Sequence, residues 1–298
     1  MNGLDQIGAQ AHLQGLALLI ALAGLGLGVG VLTGLVGAGG ALIVTPLMNV
    51  LLGLPYPICV GSSLSFAIGT SASAWARHVR LGNFEPRTTG MLGLGAIAGV
   101  WAGVQLNALL ARTAGGGTKP AFTLTMHGLF IAVLLLAAWL MVWSGPGRAG
   151  RRPLLQRLPL PPHVRLPSAG VDGVSLSGIV LAGVGIGVLN GLLGIGGGVL
   201  FMPLLILAVG LTPHQAVGTS LGAVLLNSLV GTILYGFKGD ASLWVVMSLL
   251  VGSTLGVQIG AWLCHRLRPK HLKAYAAGVV VALAAIIAVD FVRQLIHP

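Results

Sequence analysis

The chain carries the same apolar, glycine-interrupted segment twice, 157 residues apart. Residues 30–64 align without a gap on residues 187–221, and sixteen of the thirty-five positions are identical. The first copy reads GVLTGLVGAGGALIVTPLMNVLLGLPYPICVGSSL, and the second reads GVLNGLLGIGGGVLFMPLLILAVGLTPHQAVGTSL. Duplicated apolar halves that glycine and proline interrupt at matching places are typical of transporters whose substrate site lies at the repeat interface.

Composition places these halves in a membrane. The 298 residues are 55% hydrophobic and 7% charged, with a mean hydropathy of +0.96. Residues 6–76 and 173–237 contain no Asp, Glu, Lys or Arg, and each run is long enough for three crossings of about 20 residues. Four shorter uncharged runs hold one crossing each, namely 88–111, 120–147, 241–265 and 274–289. The sequence therefore predicts an all-α polytopic membrane protein with about ten transmembrane segments.

The basic residues predict the orientation. Three loops hold twelve of the sixteen Lys and Arg residues. A ten-crossing arrangement with both termini outside puts all three loops in the cytoplasm, as the positive-inside rule requires. An eight-crossing alternative with re-entrant glycine segments would put the third loop on the opposite side from the other two. The excess of basic residues behind the net charge of +11 then lies in loops beside the membrane, where attraction to anionic lipid is a better interpretation than nucleic-acid binding.

Five crossings per half is an odd number, so the second half is expected to be inverted relative to the first. We predict a first transmembrane repeat over 13–143 and a second over 174–295. Between them, 144–173 carries six prolines and five arginines and is predicted to be a cytoplasmic Arg/Pro-rich linker. It is too polar for lipid and too rich in proline for a helix.

The glycine interruptions are followed by segments too short to span a membrane. Segments 41–53 and 198–210 would each be about 20 Å long as helices, against a hydrocarbon core of about 30 Å. Glycine permits close backbone approach, and the N–H groups that open a helix lie at the positive end of its dipole, which suits an anion. The alternative is that these glycines only pack helices together.

We predict a substrate-binding site near the midplane, built from both halves. Its members are the glycines of the interruptions and nearby hydroxyls and amides, which can donate to an anion without burying a charge. For each hydroxyl or amide, helix capping or interhelical bonding is an equally good interpretation. The predicted site residues are Thr33, Gly37, Gly39, Gly40, Ser62, Ser63, Thr70, Asn190, Gly194, Gly196, Gly197, Gly198, Thr219, Ser220 and Asn227.

Other polar and glycine positions are given simpler roles. Small residues at every fourth position bring helices together, so the glycine series 95/99/103 and 252/256/260 are predicted to serve packing. His78, Arg80 and Glu85 could gate or shuttle protons, but they are expected to be solvated loop residues. No His, Cys and carboxylate cluster has metal-ligand spacing, and no nucleophile has a base nearby. The sequence thus predicts neither a metal nor a cofactor nor an enzyme.

The interruption motifs resemble those of the TauE/SafE family of membrane permeases, named for sulfite and organosulfonate export. The resemblance rests on GLVGAGGALIVTP and GLLGIGGGVLFMP, on the VGSS and VGTS that follow them, and on HVRLGNFEP. It covers about residues 20–295. The first half departs from the glycine-rich pattern, with Ala38 and Ala41 where the second half has Ile195 and Gly198.

The resemblance implies a multi-pass exporter of small sulfur-containing oxyanions in the cell inner (plasma) membrane, working by alternating access at the repeat interface. A permease for another small anion or organic acid is the alternative, and a non-transporting membrane scaffold is a further one. The expected partners are the anionic substrate and the lipid bilayer, with a proton or sodium as the candidate coupling ion. The direction of transport and the oligomeric state stay open.

Overall fold

A computed structural model of the chain describes residues 3–36, 40–113, 120–143, 154–157, 161–166 and 171–296. The described residues are almost entirely helical, and each half gives a long helix, a short helix and then three long helices. The first half contains α1 (Gly3–Val36), α2 (Ala41–Leu52), α3 (Tyr56–Arg80), α4 (Pro86–Thr113) and α5 (Pro120–Trp143). After the short helix α6 (Leu154–Arg157), the second half contains α7 (Leu176–Leu193), α8 (Gly198–Leu204), α9 (Pro213–Gly236), α10 (Leu243–Arg266) and α11 (Pro269–Ile296).

The short helix of each half begins where the sequence predicts. Helices α2 and α8 start directly after Gly40 and Gly197, whose φ angles of 75° and 73° lie in the left-handed region that favours glycine. Helix α2 has twelve residues and is about 18 Å long, too short for the hydrocarbon core. Helix α8 is extended by a single π-helical segment, Leu205–Val209.

Several of the described helices suit a membrane. Five are long and apolar enough to cross one, namely Pro86–Thr113, Ala121–Leu140, Leu176–Leu193, Pro213–Gly236 and Leu243–Arg266. Shorter apolar helical stretches cover Leu19–Leu35, Ala41–Val50 and Gly198–Val209. The chain is therefore a helical multi-pass membrane protein, and the total of about ten segments stays a prediction.

Two close helix pairs, α4 with α7 and α10 with α1, join the halves. A Cβ atom on any of three glycines of α4 would fall 2.1 to 2.2 Å from a backbone carbonyl oxygen of α7, and on three of α10 it would fall 1.7 to 2.1 Å from one of α1. The glycines concerned are Gly95, Gly99, Gly103, Gly252, Gly256 and Gly260. No side chain fits at these distances, so the predicted packing role is confirmed.

The partner helices carry glycine series of their own. In α1 these are Gly26, Gly30 and Gly34, and in α7 they are Gly183, Gly187 and Gly191, each against a backbone carbonyl of the facing helix. The contacts advance in the same direction along both members of a pair, for example from Gly26 at Leu249 to Gly34 at Val257. Helix α1 is therefore parallel to α10, and α4 is parallel to α7.

Helices α3 and α9, which occupy equivalent places in the two halves, cross the centre side by side. Gly61 of α3 lies against the Asp240 carbonyl just beyond α9, while Gly218 near the start of α9 lies against the Asn83 carbonyl just beyond α3. The start of each helix thus meets the end of the other, so the two helices run antiparallel. Helix α5 packs against α11.

The predicted linker is partly structured. Helix α6 forms one turn, and strands β1 (His163–Leu166) and β2 (Val171–Ser175) pair antiparallel, with His163 opposite Ser175. The expectation that proline would exclude helix is therefore wrong for this short stretch. Strand β2 leads directly into α7, where the Ser175 hydroxyl accepts a hydrogen bond from the Gly178 N–H.

Candidate functional site

The first break, residues 37–40, separates α1 from α2. A Cβ atom at Gly40 would fall 2.7 Å from the Phe66 ring and 2.8 Å from the Thr33 hydroxyl oxygen, so α2 begins against α1 and α3 without room for a side chain. Gly40 is buried. Two predicted site residues, Gly37 and Gly39, lie outside the described residues.

The second break, residues 194–197, separates α7 from α8. Gly194, Gly196 and Gly197 have φ angles of 67°, 72° and 73°, and all four residues of the break are buried. The Gly194 N–H closes α7 by donating to the Asn190 carbonyl. Gly198 then opens α8. Within a membrane, irregular backbone is tolerated only where protein or a water-filled cavity covers it.

Two hydroxyls of the first half hold the second break in place. The Thr45 oxygen on α2 lies 2.7 Å from the Ser63 hydroxyl oxygen and 2.9 Å from the Gly194 carbonyl oxygen. The Ser63 oxygen lies 3.1 Å from the same carbonyl. The predicted site residues Ser63 and Gly194 are thereby brought together across the halves. Sequence reasoning missed Thr45, because its repeat equivalent is Met202 and the duplication gives no signal there.

The other predicted hydroxyls bond to backbone groups. The Ser62 oxygen accepts from the Ser242 N–H, and the equivalent Thr219 oxygen accepts from the Glu85 N–H, so each fixes the start of a helix of the opposite half. Hydroxyls on α1, α3 and α9 donate to carbonyls of their own helices, namely Thr33 to Val29, Thr70 to Phe66 and Ser220 to Val217. Substrate contact by these hydroxyls stays a prediction.

The two predicted asparagines behave differently. Asn190 on α7 and Asn227 on α9 are fully buried. Neither amide has a hydrogen-bond partner for its oxygen or its nitrogen in the described part of the chain. A buried polar group left unsatisfied costs about 1–3 kcal/mol, and native structures give nearly all such groups a partner. No described residue satisfies the two amides, which leaves them available to a ligand or water, and Asn190 lies one turn before the second break.

Equivalent backbone carbonyls near the two breaks receive different side chains. The His78 Nε2 donates to the Gly34 carbonyl at 3.1 Å, and the Tyr235 hydroxyl donates to the Gly191 carbonyl at 2.7 Å. His78 and Glu85 are 0% and 1% exposed. The expectation that they are solvated loop residues is therefore wrong, because the start of α9 packs over the α3–α4 connection at Gly218. Arg80 is exposed as expected.

A cavity of about 550 Å³ lies on the same side of the molecule as the second break. It is lined by Gln105, Leu106, Ala108, Leu109, Arg112 and Lys238. Asn107, within this stretch of α4, donates to the Leu192 carbonyl just before the break. Burial lowers the pKa of Lys238, Asp240 opposes that shift, and nearby Arg112 adds to it. Burial raises the pKa of Asp240 against the effect of Lys238. Two cations thus face a partly enclosed space.

The breaks and the helices around them match one family model. The model describes the sulfite exporter TauE/SafE proteins and covers residues 22–287, which include both breaks and all the helix pairs described above. The chain belongs to the TauE/SafE family. The resemblance seen in the glycine motifs is thereby confirmed over nearly the whole chain.

Relatives of this TauE/SafE protein are named as transporters rather than enzymes. It is 29% identical over 262 residues to the "Probable membrane transporter protein YjnA" of Bacillus subtilis, covering 86% of this chain and 94% of the relative. It is 29% identical over 273 residues to a "Probable membrane transporter protein" of Xylella fastidiosa strain Temecula1, covering 90% and 94%. No solved structure matches the chain significantly.

In this TauE/SafE chain the repeat offset identifies equivalent contacts of the two halves that single residues do not reveal. His78 and Tyr235 are 157 residues apart, as are the carbonyls they contact and the pair Glu85 and Ser242. Their roles were missed because the side chains differ while the backbone partners are equivalent. Aligning the two halves position by position would have pointed to these four residues.

Proposed function

We propose that the protein transports a small sulfur-containing oxyanion, such as sulfite or an organosulfonate, across the cell inner membrane. Transport proceeds by alternating access around a site between the two halves, and the direction is export. The observation that carries the proposal is two buried amides that have no partner among the described residues, namely Asn190, one turn before the glycine-rich second break, and Asn227 on α9.

The chemistry of these groups suits an oxyanion. Each amide offers two N–H donors that an oxygen-rich anion could satisfy, while the amide oxygen can accept from water. Neutral donors hold an anion without leaving an uncompensated cation buried when the site is empty. The two cations at the cavity, Arg112 and Lys238, attract an anion to the outer side of the membrane, where in the proposed arrangement an exported anion leaves.

The proposed mechanism needs inverted halves. Two observations support inverted halves. The equivalent helices α3 and α9 pack antiparallel, and the parallel pairs α4 with α7 and α1 with α10 each join one helix of the first half to one of the second. In the proposed arrangement 13–143 and 174–295 are the two repeats, both termini lie outside, and 144–173 lies in the cytoplasm.

Labelling of single cysteines tests this arrangement. Cysteines placed near residues 150 and 296, in a background without Cys59 and Cys264, are expected to react with an impermeant maleimide from opposite sides of the membrane. The reason is that twelve of sixteen basic residues then lie in the cytoplasm. A parent protein lacking both cysteines is the control. Labelling of both positions from one side would rule out the inverted ten-segment arrangement.

Uptake into proteoliposomes tests the substrate. Purified protein is expected to accelerate uptake of labelled sulfite above the rate of protein-free liposomes, with competition by sulfoacetate and thiosulfate. Acetate and succinate should compete weakly, because the site offers several donors to three or more clustered oxygens. If the carboxylates compete as well as sulfite, the protein is a permease for organic acids. If no anion is taken up, the transport proposal fails.

A further inference from the structure

The two central helices carry an equivalent pair of buried serines. Ser71 on α3 and Ser228 on α9 are 157 residues apart, which is the repeat offset, and both are 0% exposed. Neither hydroxyl has a hydrogen-bond partner in the described part of the chain. A serine inside a helix can satisfy its hydroxyl by donating to a carbonyl of the preceding turn, as Ser65 on α3 and Ser220 on α9 do. The equivalent pair departs from this pattern in both halves.

The Ser71 side chain faces α9. It lies four residues before Trp75 and seven before His78, a spacing that puts all three side chains on one face of α3. A Cβ atom on Gly222 of α9 would fall 3.2 Å from the Trp75 Nε1 atom. One on Gly218, also of α9, would fall 3.2 Å from the His78 Cβ atom. The Ser71 hydroxyl therefore lies at the interface of α3 with α9.

The Ser228 side chain faces α3 in the same way. It lies three residues before Gly231 and seven before Tyr235, so these residues share a face of α9. A Cβ atom on Gly231 would fall 2.6 Å from the Leu64 Cδ1 atom of α3. One on Gly61, also of α3, would fall 2.9 Å from the Tyr235 Cβ atom. The two unpartnered hydroxyls thus belong to the same interface, one on each side of it.

The contacts between α3 and α9 also place the two serines at similar heights. Leu64 lies level with Gly231, and Trp75 lies level with Gly222. Because the helices run antiparallel, Ser71 lies level with about residue 225 of α9, roughly 5 Å along the axis from Ser228. Both hydroxyls are therefore close to the point at which the two halves exchange equivalent positions.

This interface presents donors that no described residue accepts from. Besides the two serine hydroxyls, the buried Nε1–H group of Trp75 has no partner in the part of the chain that the structure describes. An indole N–H can only donate, so its partner has to be an acceptor. Asn227, assigned above to the substrate, is the residue before Ser228, so the interface adjoins the proposed site. A ligand rich in acceptor oxygens fits these donors.

We infer that Ser71, Trp75 and Ser228 bind oxygens of the transported anion as it passes between α3 and α9. The inference rests on the proposed transport function, and it extends the site from the second break to the crossing of the two central helices. Each half contributes one serine. Because the halves are inverted in the proposed arrangement, an anion that arrives from either side of the membrane meets the same donor.

Titration of the purified full-length protein with sulfite tests the three donors. Ser71→Ala, Ser228→Ala and Trp75→Phe each remove one donor, and each is expected to raise the Kd about tenfold or more. The melting temperature of the two serine variants without ligand should hold or rise, because they lose no described partner. Ser65→Ala is the matched control. It removes a hydroxyl of α3 that donates to the Gly61 carbonyl, and it should leave the Kd unchanged.

The two serine variants are expected to behave alike, since their positions are equivalent. If Ser71→Ala does not fold, Ser228→Ala therefore decides. A parent-like Kd in the serine variants would overturn the inference. If their ligand-free melting temperature falls while the Kd stays at the parent value, the hydroxyls bind structural water or the protein itself, and the inference is equally wrong.

Cysteine modification separates this inference from the transport proposal. Ser71→Cys and Ser228→Cys, in a background without Cys59 and Cys264, are expected to react faster with a sulfonate-bearing methanethiosulfonate than with an ammonium-bearing one. The parent, whose two native cysteines are also 0% exposed, is the control and should react with neither reagent.

The outcomes of the two experiments are distinct. If sulfite is transported but neither introduced cysteine reacts, the inference is overturned and transport stands. If no oxyanion binds to the parent, yet both introduced cysteines prefer the sulfonate reagent, the sulfite proposal fails and the anion path between α3 and α9 stands. If no oxyanion binds and neither cysteine reacts, both fail.

Discussion

Asn190→Leu and Asn227→Leu are expected to impair transport severely while leaving the fold as stable as the parent or more so. Hydrogen bonds to a charged group contribute about 1.5–3 kcal/mol each, so loss of one amide should weaken anion binding roughly tenfold to a hundredfold. Without a ligand the amides have no partner among the described residues, and an apolar side chain of similar size removes an unsatisfied group. Sulfite uptake and thermal unfolding of the same preparations measure the two effects.

Thr33→Val is the matched control for this pair. Thr33 is the repeat equivalent of Asn190 and is equally buried, but its hydroxyl donates to the Val29 carbonyl of its own helix. We expect little change in stability, and a smaller loss of transport than in the asparagine variants. If the asparagine variants lose stability in proportion to their loss of transport, the amides bind structural water and the proposed site is wrong.

Gly30→Ala and Gly187→Ala are expected to destabilise the folded protein strongly, whereas Gly28→Ala and Gly185→Ala should not. A Cβ atom would fall 2.4 Å from the Ser253 carbonyl oxygen at Gly30 and 2.6 Å from the Ala96 carbonyl oxygen at Gly187. The backbone of the facing helix has to move, and such overpacking costs about 1–3 kcal/mol or more. Nothing lies within 4 Å at Gly28 or Gly185, so alanine there should gain up to about 1 kcal/mol of helix propensity.

The opposite signs make this comparison decisive. Melting temperatures of the four variants in one detergent should fall for the first pair and hold or rise for the second. Equal effects at Gly28 and Gly30 would mean that α1 does not pack on α10 through this glycine face.

The starts of both short helices could be predicted from the sequence, because glycine and proline interrupt an apolar run at matching places in each half. The packing role of the α4 and α10 glycines also followed from their spacing. Which helices these glycines contact could not be predicted, because the pairing of α1 with α10 depends on the three-dimensional arrangement of elements far apart in the chain. The glycines of α1 have the same spacing in the sequence, but the spacing alone does not indicate which helix they contact.

The substrate-binding residues stay a prediction, and the structure distinguishes among them by their hydrogen bonds. Asn190 and Asn227 were named from their repeat positions, and they are the strongest ligand candidates because no described residue satisfies their amides. The hydroxyls could not be ranked from sequence, because a serine that bonds a carbonyl and one that faces a ligand look alike. Burial of His78 and Glu85 was missed, since a polar stretch between helices ordinarily faces water and only the closure of α9 over it excludes water here.

The exchange of helices between halves also constrains how the protein is made. During synthesis α1 enters the membrane with its glycine face unpaired, and α2 to α9 must follow before α10 appears. Until then that face meets only lipid or temporary neighbours, so assembly of the pair is a late event even though α1 is inserted first. A chain cut between α9 and α10 would contain both breaks and the complete α4–α7 pair, yet it would lack the partner of its first helix.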